Sequence, residues 1–398
     1  MPAATGDFIY LDHAATTPVD PDVLAVMLPY FTDRFGNPSS FYHQGQESRA
    51  ALDHARSQAA RVLECNPGEI VFTSGATESD NLALRGVAWG ARLARRGISP
   101  RPHIVTTEIE HHAVLHTAFA LERQGFSLSF VQADRQGIVD PGAVAAALRP
   151  ETCLVSVMYA NNESGAIQPL RDIAAIARER GILFHTDAVQ AAGMATLHVD
   201  DLGVDLLSLS AHKFYGPKGV GLLYVRQGTV VDFHQQGGGQ EQGRRGGTEN
   251  VPGIVGLGAA LDRADDQMFD YRRHCATLRD RLWSGILKSV PHVTVNGPLV
   301  PELRLPNNLN LSISGVEGET MLLSLDMHGV AASTGSACTT GSTEPSHVLR
   351  AMGLSDDACR SALRFTVGRG NTEAQIDATI DAIVESVARA RSLAPTTV

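Results

Sequence analysis

Val204-Asp205-Leu206-Leu207-Ser208-Leu209-Ser210-Ala211-His212-Lys213, continuing as Phe214-Tyr215-Gly216-Pro217-Lys218-Gly219, sets a lysine just past a short apolar strand at residues 204–209. Upstream, Ile182-Leu183-Phe184-His185-Thr186 reads as a second strand that ends in Asp187, with Gln190 three residues on. Helical patterns alternate with short apolar strands from about residue 69 to residue 225. That alternation argues for an α/β fold whose sheet is mainly parallel and covered by helices on both faces. In such sheets ligands collect outside the carboxyl ends of the strands, so Lys213 and Asp187 are expected in one crevice.

A lysine that forms a Schiff base, with a carboxylate that keeps a ring nitrogen protonated, is what pyridoxal phosphate requires. Ser210 and His212 flank the lysine and are placed to hold the phosphate. Taken singly, Lys213 reads as a solvated lysine and Asp187 as a helix N-cap; both at strand ends of one sheet is a more specific pattern. Val71-Phe72-Thr73-Ser74-Gly75-Ala76-Thr77-Glu78-Ser79 passes from a strand through a glycine turn into a helix starting near Thr77. Free N–H groups and the helix dipole make that start an anion site, although Thr77 followed by Glu78 is also simply a good N-cap. Glu110-His111-His112 follows the strand 103–107. His112 and His116 are spaced i, i+4, but no third ligand of suitable type is evident, so no metal site is expected. His111 is better used as an imidazole stacked on a flat ring. Asn161-Asn162-Glu163-Ser164-Gly165 reads as a turn, or as a way to aim Asn162 at the cofactor's phenolic oxygen.

Cys338 stands in Ala331-Ala332-Ser333-Thr334-Gly335-Ser336-Ala337-Cys338-Thr339-Thr340-Gly341-Ser342-Thr343, a run without bulky side chains. Such a stretch has little apolar surface to bury, so it is expected to be a mobile loop that brings a thiol to a reaction centre and takes it away. The commoner fate of a cysteine is burial as a small apolar residue.

The chain resembles the NifS/IscS-type cysteine desulfurases, within the class V aminotransferase fold family. The runs that carry the resemblance are Tyr10-Leu11-Asp12-His13-Ala14-Ala15-Thr16-Thr17-Pro18, Phe35-Gly36-Asn37-Pro38-Ser39, residues 72–82, Glu110-His111, Asn161-Asn162-Glu163 and residues 210–219. Gly335-Ser336-Ala337-Cys338-Thr339, Glu344-Pro345-Ser346-His347-Val348-Leu349-Arg350 and Arg364-Phe365 complete them in the family order. The resemblance implies a PLP-dependent transferase of fold type I, with a mainly parallel seven-stranded sheet in a large domain at 15–255. A smaller α+β domain would comprise 1–14 and 256–398 and carry the cysteine loop at about 331–343. It also implies roles. Lys213 would bind pyridoxal 5'-phosphate covalently, Asp187 would face the ring nitrogen, and Asn162 and Gln190 the phenolic oxygen. His111 would stack on the ring and exchange protons. Ala76, Thr77, Ser210 and His212 would bind the phosphate, joined by Thr248 from the neighbouring subunit of a homodimer. Arg364, helped by Asn37, would clamp the carboxylate of L-cysteine. Cys338 would take the sulfur as a persulfide and hand it to an acceptor protein, a scaffold or sulfurtransferase, for iron–sulfur cluster assembly, tRNA thiolation or DNA phosphorothioation.

Composition agrees with this. A formal net charge of −10 disfavours direct contact with nucleic acid, whose phosphates call for a basic surface. The Gly237–Gly247 run, with Arg244 and Arg245, lacks interleaved aromatics and is better read as an inter-subunit loop leading to Thr248. No basic segment followed by an apolar run opens the chain and no stretch of 18 apolar residues exists, so a cytoplasmic protein without a membrane helix is expected. Five cysteines at wide spacings do not form a disulfide or zinc pattern; Cys65, Cys153, Cys275 and Cys359 are expected to be structural thiols. Residues 255–289 read as one long helical stretch leading into the smaller domain.

Overall fold

The computed structural model describes residues 8–94, 101–334 and 344–393; Cys338 lies outside the described residues. Seven strands build the central sheet: β1 Ile70–Thr73, β2 His103–Thr107, β3 Ser127–Val131, β4 Thr152–Ser156, β5 Leu183–Asp187, β6 Leu206–Ser210 and β7 Gly221–Val225. Their spatial order is β1-β7-β6-β5-β4-β2-β3. The pairs from β6 through β5, β4 and β2 to β3 run parallel, and β7 lies antiparallel between β1 and β6. The mainly parallel α/β sheet expected from the sequence is present.

Strand ends differ from the hydropathy reading for a simple reason. Ile182 and Val204 are buried, yet their N–H groups bond back to Ala177 O and Val199 O of the preceding helices instead of joining the ladder. Burial therefore starts before pairing does, and hydropathy reports only burial.

Both faces of the sheet are apolar, as a parallel sheet covered by crossover helices requires. Phe72, Val105, Val155, Phe184 and Leu207 belong to one core, which also takes in the helices His43–Leu63 and Val251–Asp266. Val71, Ile104, Leu154, Leu206 and Leu223 alternate with them and pack against the helices Ala76–Ala94 and His112–Arg123. A third core surrounds a second sheet, β8 Val293–Asn296, β9 Asn308–Ile313 and β10 Ala362–Thr366, antiparallel in the order β10-β9-β8. Leu282, Leu309, Leu311, Phe365 and Ile383 fill it.

The long helix expected at 255–289 is two helices, Val251–Asp266 and Met268–Ser289. The break falls at Gln267, whose φ of −98° and ψ of 1° leave the helical region. The two apolar faces have different destinations: Ile254, Leu257 and Leu261 enter the core of the central sheet, whereas Cys275, Leu278 and Leu282 enter that of the second. A straight helix would hold those stripes in one register. Among the described residues no helix is long and apolar enough to cross a membrane.

One contact positions the site directly. A Cβ on Gly221, the first residue of β7, would lie 2.5 Å from Leu209 O and 2.7 Å from the Cα of Gly75. Both contacts, and a third to Gly75 C at 2.8 Å, are to backbone that cannot swing away. Gly221→Ala is therefore expected to lower stability by roughly 2 kcal/mol and to weaken cofactor retention, measured by urea unfolding and by absorbance after gel filtration.

Candidate active site

A cavity of about 530 Å³ opens where β5 and β6 end, bounded by the turn before the helix Ala76–Ala94. That size is ordinary for a small-molecule site. Asp187 is the last residue of β5 and pairs in register with Ser208 of β6. β6 closes at Ser210, and the next turn, Ala211–Lys213, is a single 3₁₀ helix that swings Lys213 back over the strand end. The sheet thus delivers the acid and the amine to the same cavity.

Lys213 Nζ donates to Ala14 O at 2.6 Å and Ala15 O at 2.7 Å. Asp187 is buried and accepts a bond from Val189 N at 2.9 Å. Burial pushes its carboxyl up, and the Lys213 charge partly opposes that. A protonated ring nitrogen beside Asp187 would restore the anion. Gln190 also lines the cavity and donates to Ala14 O at 3.1 Å.

His111 is the N-cap of the helix His112–Arg123, and its Nδ1 accepts from Ala113 N at 3.2 Å. Burial and, next, the Lys213 charge lower its pKa to about 4, so the ring is neutral at physiological pH. His112 stacks on His116 with centroids 4.7 Å apart and lies 4.6 Å from His347, a ring cluster outside the cavity. Among the described residues no group of three or more His, Cys, Asp or Glu could hold a metal ion.

On the other side, Gly75 has φ 153°, conformational space in which its missing Cβ matters, and the helix from Ala76 begins immediately after it. Ala76, Thr77, Ser210 and His212 line this end of the cavity. The first N–H groups of a helix have no intrahelical acceptors, which suits an anion. Glu78 also lines the cavity, and its carboxylate is occupied: it accepts from Ser74 N at 2.8 Å and from Arg245 Nε at 2.8 Å.

Asn161 and Asn162 divide the two readings of their run between them. Asn161 Oδ1 caps the turn by accepting from Glu163 N and Ser164 N, both at 2.9 Å. Asn162 lines the cavity, and its carbonyl accepts from Arg364 Nη1 at 3.0 Å. Arg364, in β10, is 1% exposed by side chain and also reaches the cavity.

Two expected residues stand apart from the cavity, and a third is not among the described ones. Asn37 is exposed, its Oδ1 accepting from Ser39 N at 2.9 Å, and it does not line the cavity. Thr248 sits in an adjoining depression that shares Ser74 and Gly219 with the main cavity. Cys338 is outside the described residues. Of the other thiols, Cys65 and Cys275 are pushed up to about 12 and Cys359 to about 11, all mainly by burial.

Some groups at the site escaped sequence reasoning. The Ala14 and Ala15 carbonyls are backbone and carry no side-chain signal. Asp80 is fully buried, with Oδ1 3.6 Å from His185 Nε2. Burial, then the Asp187 charge, raises its pKa far above the usual range. An acid on the stripe Asp80, Ala83, Leu84, Val87 was the available signal, because that face is otherwise apolar. Glu110 is likewise buried, Oε1 accepting from Thr107 Oγ1 at 2.8 Å and Met158 N at 2.9 Å.

The amine, the buried acid, the anion-binding helix start and the Gly75 turn together fit pyridoxal phosphate. Residues 9–379 match the aminotransferase class-V family, and the chain belongs to that family. Within it, the chain is 46% identical over 387 residues to a Clostridium botulinum protein named cysteine desulfurase IscS, covering 97% of this chain and 96% of that one. A solved NifS-like protein superposes with a TM-score of 0.88 at 38% identity, covering 96% of this chain and 100% of the other. SspA in complex with cysteine gives 0.78 at 36% identity, covering 90% and 99%.

Burial pushes the Glu110 carboxyl up to about 8 from its ordinary 4.5. A raised acid binds its proton more tightly when folded. Its contribution to stability is thus complete below pH 4.5 and lost as pH rises through 8. The loss is at most about 1.4 kcal/mol per pH unit. Glu110→Gln cannot ionise, so protein stripped of cofactor should show a smaller fall in urea midpoint between pH 6 and pH 9 than wild type.

Proposed function

We propose that this chain is a pyridoxal-phosphate-dependent cysteine desulfurase that converts L-cysteine to L-alanine and carries the sulfur as a persulfide on Cys338. The observation that carries the reading is the convergence of Lys213, Asp187 and Arg364 in one cavity. The names of the full-length relatives and the neighbour solved with cysteine support it.

Pyridoxal phosphate, when bound, supplies an aldehyde for an amine and a ring that takes up the electron pair left at Cα. Asp187 holds a negative charge against the ring nitrogen, which keeps that ring electron-poor. Lys213 anchors the group through Nζ; once displaced by the substrate amine, Nζ takes the Cα proton and returns a proton nearby. Ala76, Thr77, Ser210 and His212 fix the phosphate, while Asn162 and Gln190 meet the phenolic oxygen. Arg364 orients the substrate by its carboxylate, which turns the thiol of L-cysteine away from the clamp.

The Cys338 thiol must lose its proton to attack. His111, which lines the cavity, is the acceptor in this reading. The thiolate then forms an S–S bond to the substrate sulfur as the C–S bond breaks, its electron pair passing to carbon. The product carbon is protonated to alanine, and an acceptor protein takes the terminal sulfur for iron–sulfur assembly, tRNA thiolation or DNA phosphorothioation.

A homodimer completes this reading. Thr248 lies beside its own cavity, not in it, and Phe31, Phe35 and Phe41 are exposed at 59%, 73% and 96%. Exposed aromatic side chains of this kind support an interface on this part of the chain. The division into 15–255 and 1–14 with 256–398, and a cytoplasmic location, belong to the same proposal.

With L-cysteine as substrate, Cys338→Ala is expected to retain the cofactor absorbance of the wild type and lose alanine formation by at least about a hundredfold. Alanine formation at the wild-type rate would remove Cys338 from the reaction.

A further inference from the structure

Asp12 has no role in the scheme above, yet it holds the group expected to bind substrate. It follows the short strand Ile9–Tyr10 and bridges Thr366, two residues beyond Arg364. That placement sets its carboxylate on the guanidinium: Arg364 Nη2 donates to Asp12 Oδ1 at 2.8 Å. Nη1 donates to Asn162 O at 3.0 Å, and Nε is buried without a hydrogen-bond partner. Arg364 and Ser333 exchange both backbone hydrogen bonds, at 2.7 and 3.1 Å, which fixes the base of the side chain. Arg364 lines the cavity and Asp12 does not. A guanidinium has five N–H donors, so with two in use the fork still has donors for a ligand.

We propose that Asp12 is a positioning counter-charge that deliberately weakens the hold of Arg364 on α-carboxylates. This rests on the reading of Arg364 as the carboxylate clamp. The physical reason is a charge balance. With Asp12 in place the buried guanidinium is already neutralised, so an arriving carboxylate adds a second negative charge to the cluster. Without it, Arg364 would be a buried, unpaired cation, a costly state that an arriving carboxylate relieves. The carboxylate is common to substrate and product, so a moderated clamp lets L-alanine leave after each turnover.

The test uses the holoenzyme and its cofactor absorbance. L-alanine and ethylamine, which is L-alanine without the carboxylate, are titrated against wild type, Asp12→Asn and Asp12→Glu. Asn keeps an acceptor oxygen for Arg364 but no charge. In Asp12→Asn the Kd for L-alanine should fall about tenfold while that for ethylamine stays constant. Asp12→Glu should keep the wild-type ratio of the two. In turnover, Asp12→Asn should lower KM for L-cysteine and lower kcat together, with stronger inhibition by L-alanine. An unchanged or smaller preference for L-alanine in Asp12→Asn overturns the proposal. Should that variant fail to hold cofactor, Asp12→Ser, also uncharged, takes its place with the same expectation. Arg364→Gln tests the clamp separately: if it keeps the wild-type preference for L-alanine over ethylamine, the clamp reading itself falls, and the role of Asp12 with it.

Discussion

The pairing of Asp187 with Ser208 across β5 and β6 is the constraint on which the site depends. Side chains alternate between the faces of a strand, so a slip of one residue would turn Asp187 away from the cavity. The same register sets where β6 ends, and hence where the 3₁₀ turn places Lys213. Leu207 and Leu209 on one face, with Leu206 on the other, lock that register because each face has its own apolar core. The chemistry of the amine and the acid is therefore held by ordinary packing several residues away from either.

Around that pair the protein assembles ionisable groups that water cannot reach. Asp80, Glu110 and Asp187 are buried acids raised by burial, whereas His111 and His185 are buried rings lowered by it. Each shift favours the neutral form. A site of this kind answers strongly to any charge that enters it, because little solvent is left to screen the change. The ion pair between Arg364 and Asp12 is the exception, a charge kept and balanced in advance.

Much of this was readable from the chain. Lys213, Asp187 and Gln190 announced themselves as polar residues just past apolar strands, and the alternation of strands and helices pointed to the parallel sheet that places strand ends together. Thr77, His111 and Asn162 were read from their places just past strands, Ala76 and Arg364 were named through family resemblance, and all five line the cavity. What the sequence did not disclose has a physical cause in each case. The Ala14 and Ala15 carbonyls have no side-chain signature. Asp12 meets Arg364 across a separation of 352 residues, which no local pattern spans. The break at Gln267 follows from two cores competing for adjacent helix faces, a tertiary fact absent from helical periodicity.

The central claim is that Lys213 is the amine that holds pyridoxal phosphate in this cavity. Borohydride reduction of the purified holoenzyme, followed by proteolysis and mass mapping, would test it most directly. The account predicts one stoichiometric pyridoxyl label, on the peptide containing Lys213, and none in Lys213→Ala treated alike. A label on another lysine, or none in protein that has bound the cofactor, would contradict it.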